Sequence, residues 1–151
     1  MIRMPTFAAA TLSALLAAPV AFAGEVEKTV PFELDHWVEL AAADGPVTLH
    51  RIRVARVTRS AKSRLMRPGN DEYLEDVQIQ LEFTNDATRD WEAGLAIEWL
   101  DAAGQPIDGY HDSENLDSES HRDVQTVTLS TLRYGLERAK KLRLRVAFHP
   151  D

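Results

Sequence analysis

Two stretches of the chain gather the residue types that do chemistry. Between Asp108 and Asp123 stand six carboxylates, at Asp108, Asp112, Glu114, Asp117, Glu119 and Asp123, with His111 and His121 among them. Carboxylate oxygens at that density suit calcium, and two imidazoles beside carboxylates suit zinc or copper. A divalent-metal site here would draw first on His111, Asp112, Asp117 and His121. The spacing favours something plainer, a solvated acidic loop. It has neither the regular ligand spacing and fixed glycine of an EF-hand nor a His-x-x-x-His pair.

The second stretch is basic. Arg51, Arg53, Arg56, Arg59, Lys62, Arg64 and Arg67 place seven cations in 17 residues, followed by Pro68-Gly69-Asn70 and an acidic patch at Asp71, Glu72, Glu75 and Asp76. A local positive stripe focuses field even on an acidic molecule, so this hairpin suits phosphates, acidic sugars or an anionic partner protein. The competing reading has Arg51 and Arg53 on the water face of a strand and the other cations keeping a loop solvated. A third set, Glu82 and Glu98 with Arg143 and Arg145, fits cross-strand ion pairs worth about 0.2–1 kcal/mol each. His36, His50 and His149 stand alone and read as surface or boundary residues.

Enzymatic signatures do not occur. The chain has no G-x-S-x-G elbow, no phosphate-binding glycine loop and no H-E-x-x-H helix, and its carboxylates sit mostly in loops, so the expectation is a non-enzyme without a cofactor. Cysteine is absent, which excludes disulfides, thiolate nucleophiles, cysteine-ligated zinc and a lipobox lipid.

The elements that must position these residues are strands. Val77, Ile79, Leu81 and Phe83 alternate with Gln78, Gln80, Glu82 and Thr84, the period of a strand with one buried face. After the turn-rich Asn85 to Asp90, the residues Leu95, Ile97 and Trp99 form a second strand, closed by the turn Asp101 to Pro106 in which Gly104 supplies a positive φ. Ile107 to Tyr110 reads as an edge segment before the acidic loop. Strands follow from Asp123 to Leu129 and from Lys141 to Phe148, joined by a short helical turn within Ser130 to Lys140 that crosses between sheets. Upstream, Val47, Leu49, Ile52, Val54 and Val57 change phase twice, which predicts bulges near His50 and Ala55. Val26 to Leu34 and Trp37 to Leu40 add edge pieces. Seven or eight short strands with almost no helix predict an all-β immunoglobulin-like or fibronectin-III-like sandwich, with a closed barrel as the alternative.

The first 23 residues have a different character. Arg3 precedes an apolar run from Phe7 to Val20, and Ala21-Phe22-Ala23 is a cleavage-site pattern, together the three parts of a secretory signal peptide. The run is shorter than the ~20 apolar residues that cross a bilayer, which weighs against a membrane anchor. The expected arrangement is therefore a signal peptide over 1–23 and one sandwich domain over 24–151. Export without disulfides points to a bacterial periplasm, with secretion to the medium as the other destination. Loss of Arg3 leaves 16 basic against 24 acidic residues, a net charge of −8 that disfavours nucleic acid and anionic membranes.

The residues Phe83-Thr84-Asn85-Asp86, followed by Ile97-Glu98-Trp99-Leu100-Asp101-Ala102-Ala103-Gly104, give the middle of the chain a family likeness. It resembles the FxLYD-like sandwich domains of bacterial exported proteins, in which a strand ends in asparagine and the next closes on Phe-x-Leu-Tyr-Asp and a glycine turn. Ile97, Trp99 and Leu100 stand where that motif has Phe, Leu and Tyr, and Asp101 matches it outright. The resemblance implies a sandwich serving as an extracytoplasmic interaction or accessory module with no general enzymatic activity. It transfers no functional residue. Asn85 is expected to bond its own turn, Trp99 to fill the core and Asp101 to start the next turn.

Overall fold

A computed structural model describes residues 24–57 and 73–151. The signal-peptide reading of residues 1–23 and the hairpin cations Arg59, Lys62, Arg64 and Arg67 lie outside the described residues. The chain forms eight strands and one short helix: β1 (Glu25–Pro31), β2 (Trp37–Asp44), β3 (Val47–Arg56), β4 (Leu74–Asn85), β5 (Trp91–Leu100), β6 (Pro106–Leu116), β7 (Ser120–Leu132), α1 (Arg133–Arg138) and β8 (Lys141–Pro150). They make two antiparallel four-stranded sheets, a first ordered β1-β8-β5-β6 and a second ordered β2-β3-β4-β7. This is the expected all-β sandwich rather than a closed barrel, with β2-β3-β4 running as a meander.

The alternation read from sequence is what packs the two layers together. Val77, Ile79, Leu81 and Phe83 of β4 face Leu95, Ile97 and Trp99 of β5 and Leu142, Leu144, Val146 and Phe148 of β8 across one buried core. Fully burying each such aliphatic or aromatic side chain contributes about 1.5–3 kcal/mol. Trp99 sits at the centre, with the ring of Phe32 6.2 Å from its own. Val26 and Val30 of β1 and Val38 of β2 pack on the core margin, so the two N-terminal strands are edges, as their short apolar patterns imply.

The crossover helix α1 carries the chain from β7 in the second sheet to β8 in the first, within the segment expected for it. The β3–β4 ladder shifts register between Leu49 and Arg51, placing a bulge at His50. No bulge occurs at Ala55, which pairs with Gln78 in unbroken register; the second irregularity lies on β2, between Glu39 and Ala42, where Ala41 has φ 49°. The two phase changes in the apolar pattern thus have different origins. A bulge causes the first, whereas at the second Ala55 is buried on the outward side of the sheet, directly beside inward Val54.

The acidic segment departs most from expectation. Instead of a loop from Asp108 to Asp123, β6 runs through to Leu116 and β7 begins at Ser120, leaving a three-residue turn between the sheets. Asn85 makes that turn possible. It has no solvent exposure, and its amide donates to the carbonyls of Arg89, Leu116 and Asp117 at 3.0, 3.1 and 3.2 Å, while its Oδ1 accepts from the Ala87 N–H at 3.0 Å. One buried amide therefore ties the end of β4 to its own loop and to the β6–β7 turn. The turn after β5 is capped by Asp101, whose Oδ1 accepts from Ala103 and Gln105, with Gly104 at φ 80°.

Candidate functional site

The basic residues on β3 are engaged within the fold. Arg51 donates from Nε and Nη2 to one oxygen of Glu82, at 3.0 and 2.6 Å, and its guanidinium lies 4.5 Å from the Trp37 ring centre. Arg122 of β7 reaches the other Glu82 oxygen at 2.6 Å. Three strands are joined through one carboxylate that is only 3% exposed. Burial opposes ionisation of Glu82, but the hydrogen bonds and charges of Arg51 and Arg122 outweigh it and hold the carboxyl below its ordinary range. Arg122 adopts φ 51°, a strained conformation for a side-chain-bearing residue, and its N–H donates to Thr84 Oγ1, which also bonds His50.

Arg53 reaches only Gln80, at 3.4 Å. Arg56 pairs with Glu75 at 3.1 Å and Asp35 at 3.8 Å, so positive and negative arms of the hairpin meet at its base, where the Val57 N–H also donates to the Asp76 carbonyl. In the third charge set, Arg143 pairs with Glu98 at 2.7 Å, in register on adjacent strands. The expected neighbourhood of Glu82 and the β8 arginines does not form, because Glu82 lies in the other sheet.

The structure separates the four residues of the metal alternative. His111 and Asp112 are consecutive on β6 and therefore project from opposite faces of the first sheet. Asp117 lies in the turn six residues beyond His111, about 20 Å along an extended chain. His121 belongs to the second sheet, where its Nδ1 is 3.3 Å from Asp86. Among the described residues, no group of three or more His, Asp or Glu is placed to hold a metal ion.

Position in β6 explains the acidity of this segment. Tyr110, Asp112 and Glu114 pair with Ile97, Leu95 and Ala93, which are buried core residues, so all three lie on the inward side of edge strand β6, Tyr110 and Glu114 half-buried and Asp112 exposed at its open margin. Burial, then the charges of Asp112 and Glu114, push the Tyr110 hydroxyl up to about 12. Burial and the neighbouring Asp112 likewise raise Glu114, opposed by a hydrogen bond from Tyr110. Inward-pointing charge on an edge strand disfavours its pairing with another chain's edge.

Apolar surface is concentrated elsewhere. Among the described residues, the exposed large hydrophobics are Tyr73 (66%), Tyr134 (63%), Leu132 (47%) and Val124 (42%), and the first three line one groove of about 330 Å³ with Arg133 and Glu137. The groove forms where β4 begins, β7 ends and α1 starts, with the Arg133 N–H donating to the Tyr73 carbonyl at 2.9 Å. Arg138 lies over the Tyr134 ring, 5.1 Å from its centre, and donates to its hydroxyl. The outer face of the first sheet carries a second concavity of about 520 Å³, with Gly94, Ala96 and Ala147 in its lining and Arg145 and His111 beside them.

No protein-family model matches the chain, and no curated protein does. Among solved structures it is similar to a DUF1425 family member from Shewanella sp. pv-4, at 14% identity and TM-score 0.32, over 74% of this chain and 94% of that one. It is also similar to the Avr2 effector protein from the fungal plant pathogen Fusarium oxysporum, at 9% identity and TM-score 0.32, over 89% and 96% of the two chains. Likeness at this level carries no functional argument. None of the described helices is long and apolar enough to cross a membrane.

Two features of the surface escaped the sequence reading. The Tyr73–Leu132–Tyr134 groove joins residues about 60 positions apart, brought together by the end of the β4–β7 ladder at Leu74–Leu132 and the Arg133-to-Tyr73 hydrogen bond. The concavity on the first sheet depends on small residues meeting across β5 and β8, which no local motif signals.

Proposed function

We propose that this chain is an exported, periplasmic, non-enzymatic interaction module of the FxLYD-like kind. In this reading its contact surface is the end of the sandwich where Tyr73, Leu132 and Tyr134 meet. The observation that carries the reading is that clustering: three of the four exposed large hydrophobics among the described residues share one groove, flanked by Arg133 and Arg138. Exposed apolar patches with polar rims mark interaction sites, and tyrosine and arginine are the residues that anchor them. The partner is anionic, another envelope protein or an envelope polymer, because Arg59, Lys62, Arg64 and Arg67 lie six to 14 positions before Tyr73 and outnumber the two carboxylates, Asp71 and Glu72, that separate them from it. Strand β4 ending in Asn85, the loop to Asp90, and β5 closing on the Asp101 turn support the FxLYD-like assignment. Export rests on Arg3, the apolar run to Val20 and Ala21-Phe22-Ala23.

A photo-crosslinking amino acid at position 73 or 134, introduced in intact cells, tests the surface. A discrete adduct is expected from those positions and not from position 124, and it should fade when Arg59, Lys62, Arg64 and Arg67 become alanine. Adducts independent of both the position and the four cations would count against the proposal.

A further inference from the structure

The concavity on the outer face of the first sheet has a chemistry of its own, separate from the aromatic groove. Gly94 and Ala147 face each other on β5 and β8, and Ala96 lies two residues along on the same face. These small side chains leave the floor of the trough, a shallow open depression of about 520 Å³, uncovered. Across the trough runs the row Glu27, Arg145, Ala96, His111, one residue from each of the four strands.

Arg145 is the unusual member of that row. Among the described arginines, Arg51, Arg56, Arg122, Arg133 and Arg143 have carboxylate partners, Arg53 has Gln80, and Arg89 and Arg138 lie over aromatic rings. Arg145 has none of these, although Glu27 stands opposite it in register, and its Nε is shut away from solvent without an acceptor. A guanidinium fork matches a carboxylate in two parallel hydrogen bonds, and Arg145, which lines the trough with no carboxylate of the described residues engaged on it, keeps its terminal amino groups for a ligand.

The surrounding charge narrows the ligand further. Glu25 pairs with Ala147 and is therefore the diagonal neighbour of Arg145, about 7–8 Å away in an antiparallel ladder. Two extended residues span about 7 Å. Glu25 and Asp112 line the trough and Glu27 stands opposite Arg145, and these carboxylates repel a dianion but welcome an ammonium group. We infer that this trough binds a small zwitterion of the amino-acid or dipeptide type, its carboxylate on the Arg145 guanidinium and its ammonium toward Glu25. His111 closes the far side as a further ring-nitrogen contact.

Glycylglycine is the probe, titrated into the ¹⁵N-labelled protein while the amides of Gly94, Ala96 and Ala147 are followed. Saturable shifts with a Kd on the order of 1 mM are expected. Arg145→Gln should raise that Kd at least tenfold, Arg145→Lys less, and Glu25→Gln at least threefold, with amide spectra otherwise like the parent's. Glycylglycine amide and inorganic phosphate should shift the same amides at least tenfold more weakly. Absence of saturable shifts, unchanged affinity in Arg145→Gln, or equal binding of the amide or phosphate would overturn the inference.

Discussion

Glu82→Gln isolates what the buried carboxylate contributes. The substitution keeps the shape and removes the charge on which three hydrogen bonds from Arg51 and Arg122 converge. Breaking a fully buried pair costs about 3–5 kcal/mol. Here the arginine side chains are 33% and 66% exposed, so both recover hydration when released, and the glutamine oxygen still accepts one hydrogen bond. The loss should therefore fall nearer the charge-assisted hydrogen-bond range, about 2 kcal/mol at pH 7. For a domain of this size that lowers the thermal midpoint by roughly 6–10 °C.

The pH dependence tests the cause. The Glu82 carboxyl is held below its unfolded value, so its stabilising contribution is complete above about pH 4.3 and is lost as pH falls through the depressed folded value. Urea unfolding of both proteins between pH 7 and pH 2.5 should show the gap narrowing steadily below about pH 4.3. A gap of the same size at pH 7 and pH 2.5 would refute the assignment, because a lost packing or shape interaction is insensitive to protonation.

Other substitutions probe the network's surroundings by the same unfolding measurements. Arg122→Gly should destabilise less than Arg122→Ala by about 1 kcal/mol, since both lose the ion pair but only glycine accepts φ 51° without strain. Asn85→Asp should cost at least about 3 kcal/mol, because a carboxylate cannot donate to the carbonyls of Arg89, Leu116 and Asp117 and faces them unsolvated. Glu114→Gln should have the opposite sign. The folded-state Glu114 carboxyl is raised, so the stability linked to its protonation is present below the unfolded value and lost as pH rises through the folded one. At pH 7 the glutamine variant should be more stable by up to about 1 kcal/mol, and the difference should vanish by pH 3.

The central strands were legible in the sequence because both of their flanks are paired, so alternation maps directly onto the core. β4, β5 and β8 all show this, and the β7-to-β8 helical crossover followed from Leu132, Leu136 and Ala139 at helical spacing. At the margins that mapping fails. The inward positions of β6 are Tyr110, Asp112 and Glu114, polar residues that face a seam rather than a sealed core, so of a strand of 11 residues only Ile107 to Tyr110 reads as extended and the rest as a loop. Glu82 inverts the problem. Its outward phase marks it as solvated, and its burial comes from Arg51 and Arg122, which lie 31 and 40 positions away.

The same physics separates structural charge from charge left available for binding. On a sheet face, a guanidinium whose register partner is a carboxylate within reach is spent on register, as with Arg51 at Glu82 and Arg143 at Glu98. Arg145 breaks that pattern while standing over a floor of glycine and alanine. Filling the floor without touching Arg145 should therefore block the site: Ala96→Leu projects a branched side chain into the trough from a solvent-facing position, where such a change costs within about 0.5 kcal/mol of stability. If glycylglycine binds that variant as it binds the parent, the small residues serve only the packing of β5 against β8, and the free guanidinium is not a ligand site.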